Sequence, residues 1–275
     1  MRLHHRFGGI AALCLAASLP ATHAAATQLN VTITNTSPGG GLGLSPLWVG
    51  FHNGSFDLFN VGAAASPALT RVAEDGDNGG FPGFFVGNAA GTLPGGPSFP
   101  GDVRSRTFDV DVGGAGRYFS YASMVVVSND FFIGNATPTA IDLSGLAGGG
   151  ALSFLVGVPF GAGLENIVYD AGTEVNDFLF SLANGAFGIP GGQTGPNQGA
   201  DQNGVITAVT GSPFGGFLNS PAPGALVPLN FNNPALYASI GRIDISVVPE
   251  PASMLLLGGG LLALAGIRGA RSRMV

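Results

Sequence analysis

The chain has no lysine, one cysteine and one tryptophan in 275 residues, and only 9% of its positions are charged. Each scarcity excludes a class of function. The single thiol, Cys14, leaves no disulfide framework and no set of thiolate metal ligands. Five of the ten arginines lie in the terminal segments, so residues 27–248 carry five Arg against fifteen carboxylates. A surface that negative cannot neutralise a phosphate backbone, and no nucleic-acid partner is expected. His4, His5 and His23 fall before residue 27, leaving His52 alone. A His-rich zinc site is thereby excluded, and a Ser-His-Asp triad would have to use that one ring, with no Gly-x-Ser-x-Gly elbow beside it. No heptad run and no repeat of fixed period occurs. What is abundant is 47 Gly, 19 Pro and 20 Phe. Disordered chains rich in Gly and Pro lack such aromatic and aliphatic content, so a β-rich, loop-rich globular domain is expected.

The two ends read as targeting segments. Met1 to Arg6 is basic, Gly8 to Leu19 is apolar, and Ala24-Ala25-Ala26 supplies the small residues of a signal-peptidase site. Cys14 follows Leu13 rather than a small residue, which argues against lipid attachment there. At the other end Val248-Pro249-Glu250-Pro251-Ala252-Ser253 precedes an apolar run, Met254 to Ile267, and then Arg268, Arg271 and Arg273. That run is thin for a membrane span, which takes about 20 residues, and the basic tail would stay on the cytoplasmic side. The segment resembles the PEP-CTERM sorting domain of Gram-negative bacteria. The resemblance implies transient inner-membrane anchoring, cutting near Pro249, Glu250 and Pro251 by an exosortase-type enzyme, and delivery to the cell surface or extracellular matrix. It also implies an association with exopolysaccharide or biofilm. The expected organisation is a signal peptide over 1–26, one domain over 27–247 and a sorting segment over 248–275.

Between the ends, strand periodicity dominates. Leu29, Val31 and Ile33 alternate with Asn30, Thr32 and Thr34; Phe108, Val110 and Val112 with Asp109 and Asp111; Ile243, Ile245 and Val247 with Asp244 and Ser246. Period two puts one face in the core and one in water. Tyr121 to Val127, Leu152 to Val158 and Val205 to Val209 are more continuously apolar and are predicted as central strands buried on both faces. One short helix is predicted, with Ser66 as N-cap, Pro67 at the first position, Leu69 and Val72 on one face and Gly76 at its end. The fold class is all-β, an antiparallel β-sandwich with one short helix and terminal targeting helices.

Four stretches carry a second resemblance: Ser45-Pro46-Leu47-Trp48-Val49-Gly50-Phe51-His52, Ala73-Glu74-Asp75-Gly76-Asp77, the run Ser123 to Gly134, and Asp170-Ala171-Gly172-Thr173-Glu174-Val175-Asn176-Asp177. They look like the spondin N-terminal domain in its bacterial form. The resemblance implies a C2-like sandwich with calcium at one end, held by Asp130, Asp170 and Glu174, in a module of matrix or adhesion type. Glu174 stands where the animal pattern has Asp. The residues themselves suit that ion: Asp170, Glu174 and Asp177 set three carboxylates in eight residues with no Arg among them, and calcium takes six to eight oxygens. Asp75-Gly76-Asp77-Asn78-Gly79-Gly80 reads instead as a turn after a helix end, because Val86 stands where an EF-hand needs its bidentate Glu.

No enzyme is expected, and the remaining candidates point the same way. His52 is read as a structural residue beyond Trp48, and Asp109 with Asp111 as the wet face of a strand rather than a glycosidase pair. Sequons start at Asn35, Asn53 and Asn135, and Trp48 with Phe81, Phe84 and Phe85 is read as packing. The expected function is an exported, surface-sorted matrix or adhesion module stabilised by calcium, whose partner is an extracellular polysaccharide or a surface protein. The alternatives are a secreted polysaccharide-acting hydrolase using Asp or Glu, and a structural matrix protein without a site.

Overall fold

A computed structural model describes residues 26–39, 41–126, 128–157, 165–176, 180–181, 185–186, 199–209 and 239–249. In chain order the strands are β1 (Thr27–Asn35), β2 (Gly43–Leu44), β3 (Trp48–His52), β4 (Ala89–Thr92), β5 (Val103–Val110), β6 (Tyr118–Val126) and β7 (Phe131–Asn135). They continue as β8 (Ala151–Val156), β9 (Glu165–Asp170), β10 (Phe180–Ser181), β11 (Gly185–Ala186), β12 (Thr207–Ala208) and β13 (Gly241–Val247), with helices α1 (Pro67–Asp75) and α2 (Phe81–Phe84).

Two antiparallel sheets form the sandwich, and β10 and β11 pair in a separate two-stranded sheet. The first has the order β5-β1-β13-β8, and the second runs β12-β9-β7-β6-β3-β4 with β2 also paired to β6. The alternating segments build the first sheet. Leu29, Val31 and Ile33 on β1 and Ile243 and Ile245 on β13 turn inward and are buried, while Thr32 pairs with Asp244 on the polar face. Their inner face meets Val49, Phe51, Phe119, Tyr121 and Ile133 from the second sheet in one apolar core. The predicted all-β sandwich is what the chain adopts.

The second sheet is covered on both sides, which is why its strands read as unbroken apolar runs. Phe119 and Tyr121 of β6 enter the sandwich core, whereas Trp48 of β3, Ala122 of β6, Phe132 of β7 and Tyr169 of β9 enter a second cluster. That cluster is roofed by Leu69, Val72 and Ala73 of α1 and by Phe56, Phe59 and Phe81. Helix α1 starts and stops where its sequence says. Ser66 accepts a hydrogen bond from the Leu69 amide, Pro67 opens the first turn, and Gly76 closes the helix at φ 70°. A second helix, α2, was not expected; Phe81-Pro82-Gly83-Phe84 makes one turn that sets Phe81 flat on the Trp48 ring, centroids 4.2 Å apart.

Two of the predicted central strands are edges. In β8 only one face is covered: Leu152 and Phe154 pack against the core while Ala151, Ser153 and Leu155 face outward. Val158 lies outside the described residues. The Val205–Val209 run yields only the two-residue β12 at the end of the second sheet, with Val205 exposed and Ile206 buried beneath the helical roof. Both runs owe their apolar look to packing on one side plus an exposed aliphatic, Leu155 or Val205. The predicted terminal helices fall outside the described residues, and among the described residues no helix is long and apolar enough to cross a membrane.

Candidate functional site

Asp130 and Asp170 come together at one end of the second sheet, where the strand register brings them, and Glu174 joins them through its backbone amide while its carboxylate turns to Gly199. Phe131, the first residue of β7, pairs with Asp170, the last of β9, and the Ala171 amide donates to the Asp130 carbonyl at 3.1 Å. Antiparallel neighbours therefore deliver both aspartates to the same rim. The turn before β7 is held by Ser128, whose hydroxyl donates to the Val125 carbonyl at 2.6 Å and accepts from the Phe131 amide at 3.0 Å.

From that rim the loop 171–176 folds back over Asp130. The Thr173 and Glu174 amides donate to Asp130 Oδ2 at 2.8 and 3.0 Å, and the Thr173 hydroxyl adds a third bond at 3.3 Å. Asp170 Oδ1 accepts from the Gly172 amide and Oδ2 from the Asn176 carboxamide, both at 2.7 Å. Glu174 is buried, with Oε1 accepting from the Gly199 amide at 3.1 Å and its backbone bridged to Asp201. Asp177 lies outside the described residues.

Gly172 makes this wrap possible. It sits at φ 67°, and a Cβ there would lie 2.6 Å from the Val205 carbonyl oxygen and 2.8 Å from its nitrogen. Neither backbone atom can move aside as a side chain would. Gly172→Ala is expected to destabilise the protein by about 2 kcal/mol or more, checked by urea unfolding with and without calcium.

Electrostatically the site is unbalanced. Asp130 is fully buried, and burial together with the neighbouring Asp170 pushes its pKa up to about 7. Burial also raises Asp170. Among the described residues no basic side chain pairs with either of them; Arg71 is taken by Asp75 and Asp77, and Arg104, Arg117 and Arg242 by Asp102, Asp142 and Asp244. Two adjoining carboxylates without a cation leave a proton or a metal ion as the means of relieving their repulsion. Asp130 Oδ1 is buried and accepts no hydrogen bond. Protonated, that oxygen donates to Asp170; ionised, it is left bare and fits a hard cation. Among the described residues, however, no three His, Cys, Asp or Glu side chains are grouped so as to hold a metal ion.

A cleft of about 340 Å³ opens beside the loop, walled by Thr70 and Glu74 of α1 and by Gly172, Thr173, Asp201 and Asn203. The loop that wraps Asp130 is thus one wall of a surface recess. The sequence reading missed this juxtaposition because 70–74 and 201–203 are remote in the chain.

The other candidates resolve structurally. His52 is buried, its Nδ1 accepts from the Gly54 amide at 3.0 Å, and its Nε2 lies 2.9 Å from Ser120 Oγ. With Nδ1 accepting, Nε2 carries the proton and donates to Ser120, so this ring cannot act as base toward that hydroxyl. Burial holds its pKa down at about 4. Asp109 is exposed on β5, while Asp111 ties its own turn by accepting from the Ala115 amide. The Asp75–Gly80 segment is the helix end and turn predicted for it, with Asp77 accepting from the Gly79 amide and paired to Arg71. Of the sequon asparagines, Asn35 and Asn135 are buried and Asn53 is on the surface.

Residues 247–272 match the family described as the PEP-CTERM protein-sorting motif. The chain carries a surface-sorting signal. The motif marks an exported protein of Gram-negative bacteria that exosortase sorts to the cell surface or beyond it. It covers Pro249, Glu250 and Pro251, of which Pro249 is within the described residues and exposed. No curated protein matches the chain.

Proposed function

We propose that the exported protein is a calcium-stabilised, non-catalytic matrix or adhesion module, similar to the spondin N-terminal domain. After transient inner-membrane anchoring, it is delivered to an exopolysaccharide-rich surface. The observation that carries the calcium reading is the pair of buried Asp130 and half-buried Asp170, which has no basic partner among the described residues and one oxygen of which faces no donor. The spondin-like stretches support it, because the parts of them that hold Asp130 and Asp170–Asn176 meet at the sheet rim. Asp130, Asp170 and Glu174 would hold the ion. Bound calcium would lock the loop 171–176 onto β7, and with it one wall of the cleft, which is the natural seat for a polysaccharide or surface-protein partner.

Millimolar calcium is expected to raise the melting temperature of the processed protein by several degrees, since a ligand at a hundredfold excess over Kd adds about 2.7 kcal/mol. Magnesium is expected to do less, because its octahedral shell keeps its waters. Identical melting curves with and without calcium would defeat this reading. For the sorting step, mass spectrometry of the surface-released protein is expected to find a chain beginning near Ala25 to Thr27 and ending within 249–253. Recovery of intact Met1 or Val275 there would contradict it.

One observation favours a hydrolase as the second reading: the cleft is lined by two carboxylates, Glu74 and Asp201. Glycoside hydrolysis needs such a pair. That reading requires release of sugar from the native polysaccharide, lost in Asp201→Asn; the module reading requires binding without turnover.

A further inference from the structure

We infer that the carboxamide oxygens of Asn129 and Asn176 are neutral ligands of the cation, completing a shell that the carboxylates cannot fill by themselves. This rests on the calcium reading above and extends it to two residues outside the acidic set.

Four buried side-chain oxygens among the described residues stand out as accepting no hydrogen bond: those of Asn78, Asn129, Asp130 and Asn176. Three of the four belong to the crossing of the 128–130 turn with the loop 170–176. A buried acceptor left unmade costs about 1–3 kcal/mol, and folded proteins hold few of them. The two amide oxygens face no donor, and Asp130 Oδ1 has a partner only through a proton shared with Asp170, so one species from outside the chain would serve all three.

The orientation of both amides is fixed by what their nitrogens do. Asn129 Nδ2 donates to the Val175 carbonyl at 2.9 Å, and Asn176 Nδ2 donates to Asp170 Oδ2 at 2.7 Å. Both partners are acceptors, so turning either amide over would set oxygen against oxygen. Oδ1 of each residue must therefore lie on the far side of its amide from that partner. Asn129 is only 1% exposed, which keeps water from serving its oxygen cheaply. Asp130 Oδ1 faces no donor because its sister oxygen takes the Thr173 and Glu174 amides; a proton on it is donated to Asp170, and once ionised it is left bare.

The occupant is an acceptor-seeking species that offers no hydrogen-bond geometry of its own, a hard cation. A lysine-like ammonium is a poor second, because three converging donors would leave the carboxylate pair only half neutralised. The coordination count agrees. Calcium takes six to eight oxygens, more than the carboxylates offer, and neutral amide oxygens would supply the difference. Neutral ligands also keep the net charge of the site low, which suits weak, extracellular calcium binding in the 10⁻⁴–10⁻³ M range.

The test uses the processed protein as parent with Asn129→Ala, Asn176→Ala and Asn176→Asp, probed with calcium alone and, separately, with europium(III) alone. Asn176 is partly exposed, so its variants keep the fold if Asn129→Ala does not. Each alanine variant is expected to weaken calcium binding roughly tenfold or more and to add about one water to bound europium, counted from luminescence lifetimes in H2O and D2O. Asn176→Asp is expected to melt lower than the parent without calcium and close to it with calcium, so its calcium-dependent lift exceeds the parental one. A purely structural role would lower both melting temperatures equally and leave the water count unchanged; that result overturns the ligand assignment while leaving the calcium reading intact. A parent that binds neither ion overturns both.

Discussion

In calcium-free buffer, Asp130→Asn is expected to match the parent protein near pH 4 and to become increasingly more stable than it as the pH rises through 7. The reason is the folded-state pKa of Asp130, raised from the ordinary value of 3.8 to about 7 by burial and by Asp170. The folded protein then binds a proton that the unfolded chain releases, so the contribution of this residue to stability is lost as the pH climbs from about 4 to about 7. Asparagine carries no such cost. Its oxygen still accepts from the Thr173 and Glu174 amides and its nitrogen faces Asp170, the arrangement that protonated Asp130 would have. The gain is expected to reach roughly 2–4 kcal/mol by pH 8. His52 works in the opposite sense, its pKa lowered to about 4, so its share falls as the pH drops below 6.5; it is common to both proteins and cancels in the difference. Millimolar calcium is expected to reverse the order at pH 7.5, because the parent gains an ion that the variant lacks the charge to hold. Urea melts at four pH values, with and without calcium, read the crossing directly.

Phe81→Ala is expected to cost about 3–5 kcal/mol, the range for emptying a buried aromatic position. Phe81 is fully buried and stacks on Trp48 at 4.2 Å, and Trp48 in turn meets Phe56 at 5.9 Å and Phe85 at 5.4 Å. Removing the central ring leaves Trp48 without its covering face and opens the roof over β3 and β6. The small helix α2 exists to place that ring: its Pro fixes the first turn and Gly83 has no neighbour to pack against. Loss of Phe81 is therefore expected to free the segment 78–85 while leaving the sandwich core between the two sheets in place. Amide hydrogen exchange is expected to show faster exchange in α1 and α2 and little change in β1 and β13. Uniform acceleration across both sheets would show that the two apolar clusters unfold as one.

How far the sequence carried the reader follows from which forces are local. Alternation along β1, β5 and β13 and the Ser66-Pro67 start of α1 are local, and each was legible. Whether an apolar run is central or an edge depends on what covers its second face, which the run itself does not encode; Leu152 to Val158 and Val205 to Val209 were misread for that reason. At the candidate site the carboxylates were found through motif resemblance, but Asn129 and Asn176 passed unnoticed inside the same motifs. Their signal is a pair of oxygens with no donor, a property of three-dimensional packing. A sequence clue does exist: Asn129 is next to Asp130, and Asn176 lies six residues after Asp170, to whose carboxylate it donates. The cleft was invisible because helix α1 and the 201–204 segment are remote in the chain and become neighbours only in the fold.

The central claim, that a cation satisfies the Asp130 and Asp170 pair, is tested most directly by isothermal titration of the processed, EDTA-treated protein with calcium. At pH 7.5 one saturable site per chain is expected, with part of a proton released on binding, as buffers of different ionisation heat reveal; at pH 9 the same site is expected with no proton released. Heats indistinguishable from dilution at both pH values would contradict the account and leave a shared proton, not a metal, between the two carboxylates.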